Sequence, residues 1–144
     1  RVEIIDGSSC QSSVGNQRIG RQTVILGELC NGVGSTAHEL GHAIGLQHMQ
    51  TRPDRDQYIT VMRERIYPGM YSLNYGIERD SSSMGFPYDY SSLLHYGPYD
   101  FFLFNLCLVL IRISFYSKTL GNYYPSFYDV SRVNAMYKCD SKYS

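Results

Sequence analysis

The sequence predicts an α+β fold, because strand-like and helix-like segments occupy separate parts of the chain. Three short runs near the N-terminus, RVEIID, CQSSVG and RQTVILG, have the apolar alternation and flanking turn residues that are typical of strands. Two later segments, STAHELGHAIGLQ and SFYDVSRVNAMYKC, carry apolar residues at helical spacing. The length of 144 residues is sufficient for one domain with its own core.

The composition excludes several classes of function. The chain is 43% hydrophobic and 18% charged, which is typical of a folded globular protein rather than a disordered one. A net charge of zero predicts no nucleic-acid partner and no binding to an anionic membrane surface. The apolar run at 101–111 is too short to span a bilayer, which takes about 20 residues, so no membrane partner is expected.

The first three segments predict a small sheet held by a cysteine pair. RVEIID predicts a strand that turns at Gly7 to Ser9, CQSSVG predicts an exposed edge strand, and RQTVILG predicts a third strand. Cys10 and Cys30 flank this unit, and a bridge between them would close a loop of about 20 residues, which stabilises by roughly 3 kcal/mol. The four cysteines could form two disulfides, which would imply an oxidising compartment.

The first helix is predicted to start near Ser35. Ser35 or Thr36 can cap it, and Thr36 with Glu39 fits a capping box. The region 67–99 is rich in Gly, Pro, Ser and Tyr, which predicts a long irregular segment of the kind that often carries function. The C-terminal helix then presents apolar side chains from Val130, Val133 and Met136.

The stretch HELGHAIGLQH has the spacing of a catalytic metal site. His38 and His42 are four residues apart, so on a helix both imidazoles can reach one ion. Gly45 can adopt positive φ and end the helix, which would bring His48 back as a third ligand. Three imidazoles leave a tetrahedral position for water, and Glu39 can hold that water and accept its proton.

The alternative interpretation is a surface helix with scattered histidines. From average residue usage, His-Glu-x-x-His-x-x-Gly-x-x-His should arise by chance in on the order of one chain in 10⁵. The spacing therefore favours bound zinc over the surface helix.

This extended motif resembles that of the metzincins, a clan of zinc peptidases, and four further motifs resemble those of its astacin family. These motifs are HMQTRPDRD from the third histidine onward, SSLLHYG at 91–97, the paired-cysteine segments GSSCQSSVG and QTVILGELC, and SFYDVSRVNAMY. The resemblance covers residues 1–101 and about 115–139. It implies a metzincin-like catalytic domain with a small twisted mixed sheet and the active-site helix above a cleft. An irregular lower lobe that ends in the C-terminal helix would lie below the cleft.

The resemblance also implies the function and the roles of individual residues. We expect a zinc-dependent endopeptidase that cleaves peptide or protein substrates through a metal-bound water activated by a glutamate. The alternative is a zinc-binding but inactive truncated domain that binds peptides or inhibitors. The implied roles are one zinc ion held by His38, His42 and His48, Glu39 as general base, Tyr96 as stabiliser of the oxyanion, Ser12, Ser13 and Val14 as the strand that pairs with substrate, and a disulfide between Cys10 and Cys30.

The boundaries of the chain carry further expectations. The sequence opens on Arg1 and shows no charged region followed by an apolar stretch, so no signal peptide is expected in it. We expect residues 1–144 to be a partial catalytic domain whose N-terminal part is absent, with its own pro-segment in the full-length form. Secretion or another extracellular location is expected. Without the N-terminal part, Cys139 would be a free thiol or would pair with Cys107.

Neighbouring polar residues are predicted to have structural roles. His95, beside Tyr96, is expected to be structural rather than a ligand. A salt-bridge and hydrogen-bond cluster is expected from Arg52, Asp54, Arg55 and Asp56, although their mixed signs also fit a solvated face.

Three features depart from the family pattern. Leu94 replaces the methionine of the turn beneath the metal; a swap of similar volume costs under about 1.5 kcal/mol, so the zinc geometry should survive. Met49 replaces a glutamate that is associated with anchoring the N-terminus. The hydrophobic insert at 102–115 is either a divergent buried strand or translated non-coding sequence.

Overall fold

The chain forms two compact units in the computed structural model, which describes residues 1–30, 32–79, 81–100, 109–111 and 118–139. The first unit comprises Arg1–Gln47 together with Tyr123–Ser144, and the second comprises His48–Asn122. Within the described ranges, the helices are too short or too polar to cross a membrane.

The first unit contains a three-stranded mixed sheet. Its strands are β1 (Val2–Ile5), β2 (Cys10–Ser12) and β3 (Gln22–Leu26), in the order β1-β3-β2. β3 pairs parallel with β1 and antiparallel with β2. All three strands lie in the predicted segments, and the prediction that CQSSVG forms an edge strand is confirmed.

Helix α1 (Val33–Ala43) contacts β2 and β3. The side chain of Val24 in the central strand is fully buried, and those of Ala43 and Leu46 at the end of the helix are buried as well. Such apolar burial holds the helix and the sheet in place, because each large side chain contributes on the order of 1.5–3 kcal/mol.

The predicted helix cap is wrong. The helix begins two residues earlier than expected, with Gly32 at the N-cap and no side-chain capping bond. Thr36 therefore lies inside the first turn, and its hydroxyl donates to the Cys30 carbonyl at 3.2 Å instead of forming a capping box with Glu39. The start of the helix is thus tied to a residue that the Cys10–Cys30 disulfide holds.

The predicted C-terminal helix is confirmed as α3 (Phe127–Tyr137). A capping box between Ser126 and Asp129 starts it, and Asp129 forms a buried ion pair with Arg132. The Tyr137 hydroxyl donates to the Ile44 carbonyl at the end of α1 at 3.0 Å. The helix thus belongs to the unit with the sheet, whereas the prediction attached it to the irregular lobe.

The second unit contains little regular structure. β4 (Ile59–Val61) pairs antiparallel with β5 (Val109–Ile111), and α2 (Met70–Tyr75) is a short helix within the region predicted to be irregular. Of the predicted hydrophobic insert at 102–115, only 109–111 are described, and they form β5. The other residues of the insert, including Cys107, lie outside the described residues. The α+β class with a small mixed sheet is confirmed.

Tyrosines form much of the core of the second unit. Tyr58 stacks on Tyr88 with the ring centroids 4.6 Å apart, and Tyr90 packs edge-on against both rings. The buried members of this core are Met49, Ile59, Ile66, Tyr75, Tyr88, Tyr90 and Leu120. Large rings with a polar hydroxyl suit such a core, because each hydroxyl can bond to an irregular backbone.

Candidate metal centre

His38 and His42 meet on one face of α1. Their rings contact edge to face with centroids 4.8 Å apart, and the two Nε2 atoms are 3.1 Å apart. This contact follows directly from the spacing of four residues, which places side chains one above the other on a helix.

Gly45 ends the helix and turns the chain toward His48. Its φ of +108° confirms the predicted left-handed conformation, which an L side chain rarely adopts. The Leu46 N–H then donates back to the Gly41 carbonyl at 2.9 Å. One nitrogen from each of His38, His42 and His48 lies within 4.8 Å of the others, so the predicted three-histidine group is brought together.

The protonation of His42 suits a metal. Its Nδ1 lies 2.8 Å from the Leu46 carbonyl, and because a carbonyl only accepts, Nδ1 carries the proton and Nε2 carries the lone pair. Burial lowers the pKa of His42 from 6.5 to about 4, so the imidazole is neutral at pH 7. Two nitrogens on one tetrahedral zinc ion lie roughly 3.3 Å apart, close to the separation of the two Nε2 atoms. The three histidines therefore fit a zinc ion.

Glu39 follows the first histidine on α1. Its side chain is buried, and this burial raises the pKa of the carboxyl above its ordinary value of 4.5. A carboxylate with a raised pKa is a better proton acceptor than one in water. The position of Glu39 in the helix turns it away from the direction of His38 by about 100°, which suits a role beside a metal ion rather than as its ligand.

Tyr96 lies beside His48 in the second unit. The two ring centroids are 4.6 Å apart. The Tyr96 hydroxyl donates to Asn74 Oδ1 at 3.2 Å, and its backbone N–H donates to Gln50 Oε1 at the same distance. The Met49 N–H donates to the Leu94 carbonyl at 2.9 Å, which joins the Tyr96 turn to the residue after His48.

The substitutions at Met49 and Leu94 both fill the core. Met49 and Leu94 are fully buried, and Met49 belongs to the tyrosine-rich cluster. Met49 thus gives the position after the third histidine an apolar packing role, which a glutamate could not fill without a partner for its buried charge.

His95 is held by its neighbours and lies outside the three-histidine group. Its Nδ1 bonds to the Tyr96 carbonyl at 2.8 Å and must carry the proton. Its Nε2 therefore accepts from the Tyr88 hydroxyl at 2.7 Å. These contacts support the predicted structural role, because they fix the turn that carries Tyr96.

His95 makes the fold sensitive to acid. Burial lowers the pKa of His95 from 6.5 to about 4, so between these values the unfolded chain binds a proton that the folded one does not. The stability that the neutral ring contributes is complete above pH 6.5 and is lost as the pH falls toward 4, with a slope approaching about 1.4 kcal/mol per pH unit. In urea unfolding, the free energy of unfolding of a His95→Gln variant should fall less steeply between pH 6.5 and 4. The difference in slope should approach about 1.4 kcal/mol per pH unit, which corresponds to one proton. An identical decline in both proteins, at equal metal content, would contradict this assignment.

The charged residues after the motif form the predicted structural cluster. Arg52 donates to both carboxylate oxygens of Asp54, at 2.9 and 2.7 Å, and to the Phe86 and Pro87 carbonyls. Arg55 pairs with Asp56 and also donates to backbone carbonyls. Both arginines are buried, so the solvated-face alternative is wrong for them.

The residues predicted to pair with substrate lie at the edge of the sheet. Ser12 is the last residue of β2 and stands opposite Val24 of β3, and Ser13 and Val14 follow it. The sheet ends at β2 among the described strands. An open cavity of about 300 Å³ beside this edge is lined by Gln11, Ser12, Ser13, Thr23 and Ile25.

The cysteines divide into one pair and one thiol. Cys10 and Cys30 form a disulfide, with Cα atoms 5.8 Å apart. Cys139 is half-buried and unpaired within the described part of the chain. Its predicted alternative partner, Cys107, lies outside that part.

Sequence reasoning missed two residues whose side chains hydrogen-bond to Tyr96. Gln50 is fully buried and lies 46 positions before Tyr96, and Asn74 lies 22 positions before it on α2. Gln50 lies in the HMQTRPDRD segment, but no chemical role was predicted for it there, and Asn74 lies in none of the motifs. The position of Gln50 two residues after His48 could have drawn attention to it, but only the tertiary fold shows that its amide is buried and which residue it contacts.

The chain is similar to known zinc proteases. The peptidase family described as Astacin matches residues 1–138. Meprin A subunit beta of Mus musculus is 36% identical over 146 residues, which cover 99% of this chain and 21% of that protein. Zinc metalloproteinase nas-36 of Caenorhabditis elegans is 38% identical over 138 residues, covering 94% and 22% respectively. The chain thus spans about a fifth of the length of these curated relatives.

A solved structure supports the same assignment. High choriolytic enzyme 1, a hatching enzyme zinc-protease from Oryzias latipes, superposes with a TM-score of 0.81. The two chains are 29% identical, and the match covers 95% of this chain and 68% of the other. The similarity therefore extends over nearly all of the fold.

Proposed function

Since the chain belongs to the astacin family of peptidases, we propose that it is a zinc-dependent endopeptidase that cleaves extended peptides. The observation that carries this proposal is the group of three histidine nitrogens within 4.8 Å of one another. His38, His42 and His48 would hold one zinc ion. A bound zinc ion supplies Lewis acidity, which polarises the carbonyl to be attacked and acidifies water.

Protein groups around the histidines would carry the proton and the charge. Glu39, with its raised pKa, would accept a proton from the attacking water and pass it to the leaving amine. The Tyr96 hydroxyl is a donor and would stabilise the negative charge that develops on the carbonyl oxygen. To do so it would leave Asn74, exchanging one hydrogen bond for a stronger charge-assisted one.

The substrate would bind by adding a strand to the sheet. β2 offers an open edge at Ser12, and an extended peptide could pair antiparallel along Ser12 to Val14. Backbone hydrogen bonds would give affinity without fixing the sequence of the peptide. The Cys10–Cys30 disulfide supports a secreted or extracellular location, where such bonds persist.

Removal of the metal tests the proposal. Protein treated with 1,10-phenanthroline should lose hydrolysis of denatured casein, and one equivalent of Zn²⁺ per chain should restore it, because the three imidazoles form one site. Elemental analysis measures the metal content in parallel. Hydrolysis by demonstrably metal-free protein would contradict the proposal, and zinc binding without hydrolysis would favour the inactive peptide-binding alternative.

A further inference from the structure

A buried glutamine amide hydrogen-bonds to the backbone of the loop that follows Ser12 to Val14. Gln22, the first residue of β3, has only 6% of its surface exposed. Its Nε2 donates to the Gly15 carbonyl at 2.9 Å, and its Oε1 accepts from the Gln17 N–H at 3.2 Å. A side-chain amide has the donor and acceptor of a peptide group, so Gln22 satisfies the backbone of 15–17 as a paired strand would.

The same loop is joined to the metal-binding helix. The Gly15 N–H donates to the His42 carbonyl at 2.8 Å, and the Gly45 N–H donates to the same oxygen at 2.9 Å. Gly15 has a φ of +70°, and a Cβ at this position would lie 3.8 Å from the Gly45 Cα. The two glycines thus let the loop approach the helix end backbone to backbone.

Gly15 therefore links the segment that ends at Val14, the metal-binding helix and Gln22. Gly15 follows Val14, its N–H bonds to the backbone of His42, and its carbonyl bonds to Gln22. A second contact reinforces the segment, because Gln17 Nε2 donates to the Val14 carbonyl at 2.7 Å. Displacing Gln22 would remove the partner of the Gly15 carbonyl and of the Gln17 N–H, and would leave the Gly15 N–H bond to His42 as the contact of this loop with the helix.

We propose that Gln22 is a positioning residue for substrate: it holds the backbone of Ser12 to Val14 in a fixed position relative to His42. This inference rests on the proposed function, in which that edge binds the peptide. An extended peptide would then meet the metal ligands in register only while the Gln22 amide is in place. This positioning role can be separated from a contribution to stability. Methionine at position 22 has a similar size and can fill the space of the glutamine, but it cannot hydrogen-bond to the loop.

The experiment compares two peptides. The first is a ten-residue peptide cleaved in a digest of denatured casein, and the second is its central four-residue piece around the scissile bond. The zinc-loaded protein and its Q22M variant are compared with Q57M, which makes the same change at an exposed glutamine of the second unit. We expect Q22M to raise KM about tenfold for the long peptide, the equivalent of one net hydrogen bond. The KM of the short peptide and both kcat values should change less than about twofold, and Q57M should match the wild type.

A second readout is independent of catalysis. Hydrogen exchange of the Gln17 amide should accelerate in Q22M, while the amides of α1 remain protected. Q22E keeps the acceptor for Gln17 but turns a second acceptor toward the Gly15 carbonyl, so its KM for the long peptide should rise at least as far as that of Q22M. If Q22M does not fold, Q22E makes the same comparison of the two peptides.

The outcomes separate this inference from the proposed function. Equal effects on both peptides, or an unchanged KM with accelerated exchange at Gln17, would show that Gln22 is only structural. If the wild-type protein binds zinc but cleaves neither peptide, the proposed function fails. The affinity for the long peptide, measured by calorimetry in the wild type and in Q22M, then decides the inference alone: a loss of about tenfold supports it, and equal affinities overturn it.

Discussion

Replacing Glu39 by glutamine will lower kcat for peptide hydrolysis by about 10³-fold and leave the zinc content unchanged. The amide has the size of the carboxyl, so the helix and its histidines keep their positions. It cannot accept a proton, however, and general-base catalysis contributes on the order of 10²–10⁴ in rate. Steady-state kinetics with a peptide substrate and elemental analysis of the same samples measure both quantities.

A matched control separates chemistry from charge. Glu64→Gln makes the same substitution at an exposed glutamate of the second unit and should leave kcat within about twofold of the wild-type value. A Glu39→Gln protein that retains about a tenth of the activity would exclude Glu39 as the base. Loss of zinc in that protein would instead assign Glu39 a role in metal binding.

The three-histidine group could be predicted from the sequence because its geometry depends on neighbouring residues in the chain. His38 and His42 meet through the helical repeat alone, and Gly45 turns the chain because its φ of +108° suits a residue without Cβ. Neither fact depends on distant parts of the chain. The alternation and turn residues identified the three strands, and the polar side of CQSSVG indicated its edge position, but no local pattern predicts the strand order β1-β3-β2.

The supporting contacts could not be predicted in this way. Gln22 contacts Gly15 and Gln17 through a loop, and Gln50 reaches Tyr96 across 46 positions. A glutamine has no sequence pattern that distinguishes a buried amide from an exposed one. The helix cap failed for a related reason: Thr36 fits a capping box locally, but the Cys30 carbonyl, positioned by the disulfide, takes its hydroxyl.

Arg55→Leu will have the largest effect on stability, lowering the free energy of unfolding by about 3 kcal/mol. The Arg55 side chain is 2% exposed, and one terminal nitrogen donates to the Gln50 and Tyr75 carbonyls at 2.6 and 2.9 Å. Leucine would leave both carbonyls buried without this donor. Its partner Asp56 is 67% exposed and would be solvated, so the loss comes from the carbonyls rather than from an orphaned charge.

Urea unfolding measures this loss, with Arg79→Leu as the control at an exposed arginine that should change stability by less than about 0.5 kcal/mol. The free energy of unfolding of Arg55→Lys should lie between those of Arg55→Leu and Arg79→Leu. An ammonium group can still donate to a carbonyl, but it cannot reproduce the forked donor geometry of guanidinium. The effect should reach catalysis as well. Arg55 fixes the Gln50 carbonyl while the Gln50 side chain accepts from the Tyr96 N–H, so a loosened Gln50 releases the tyrosine proposed to stabilise the oxyanion. A variant with lowered stability but an unchanged kcat would show that Tyr96 is positioned without this support.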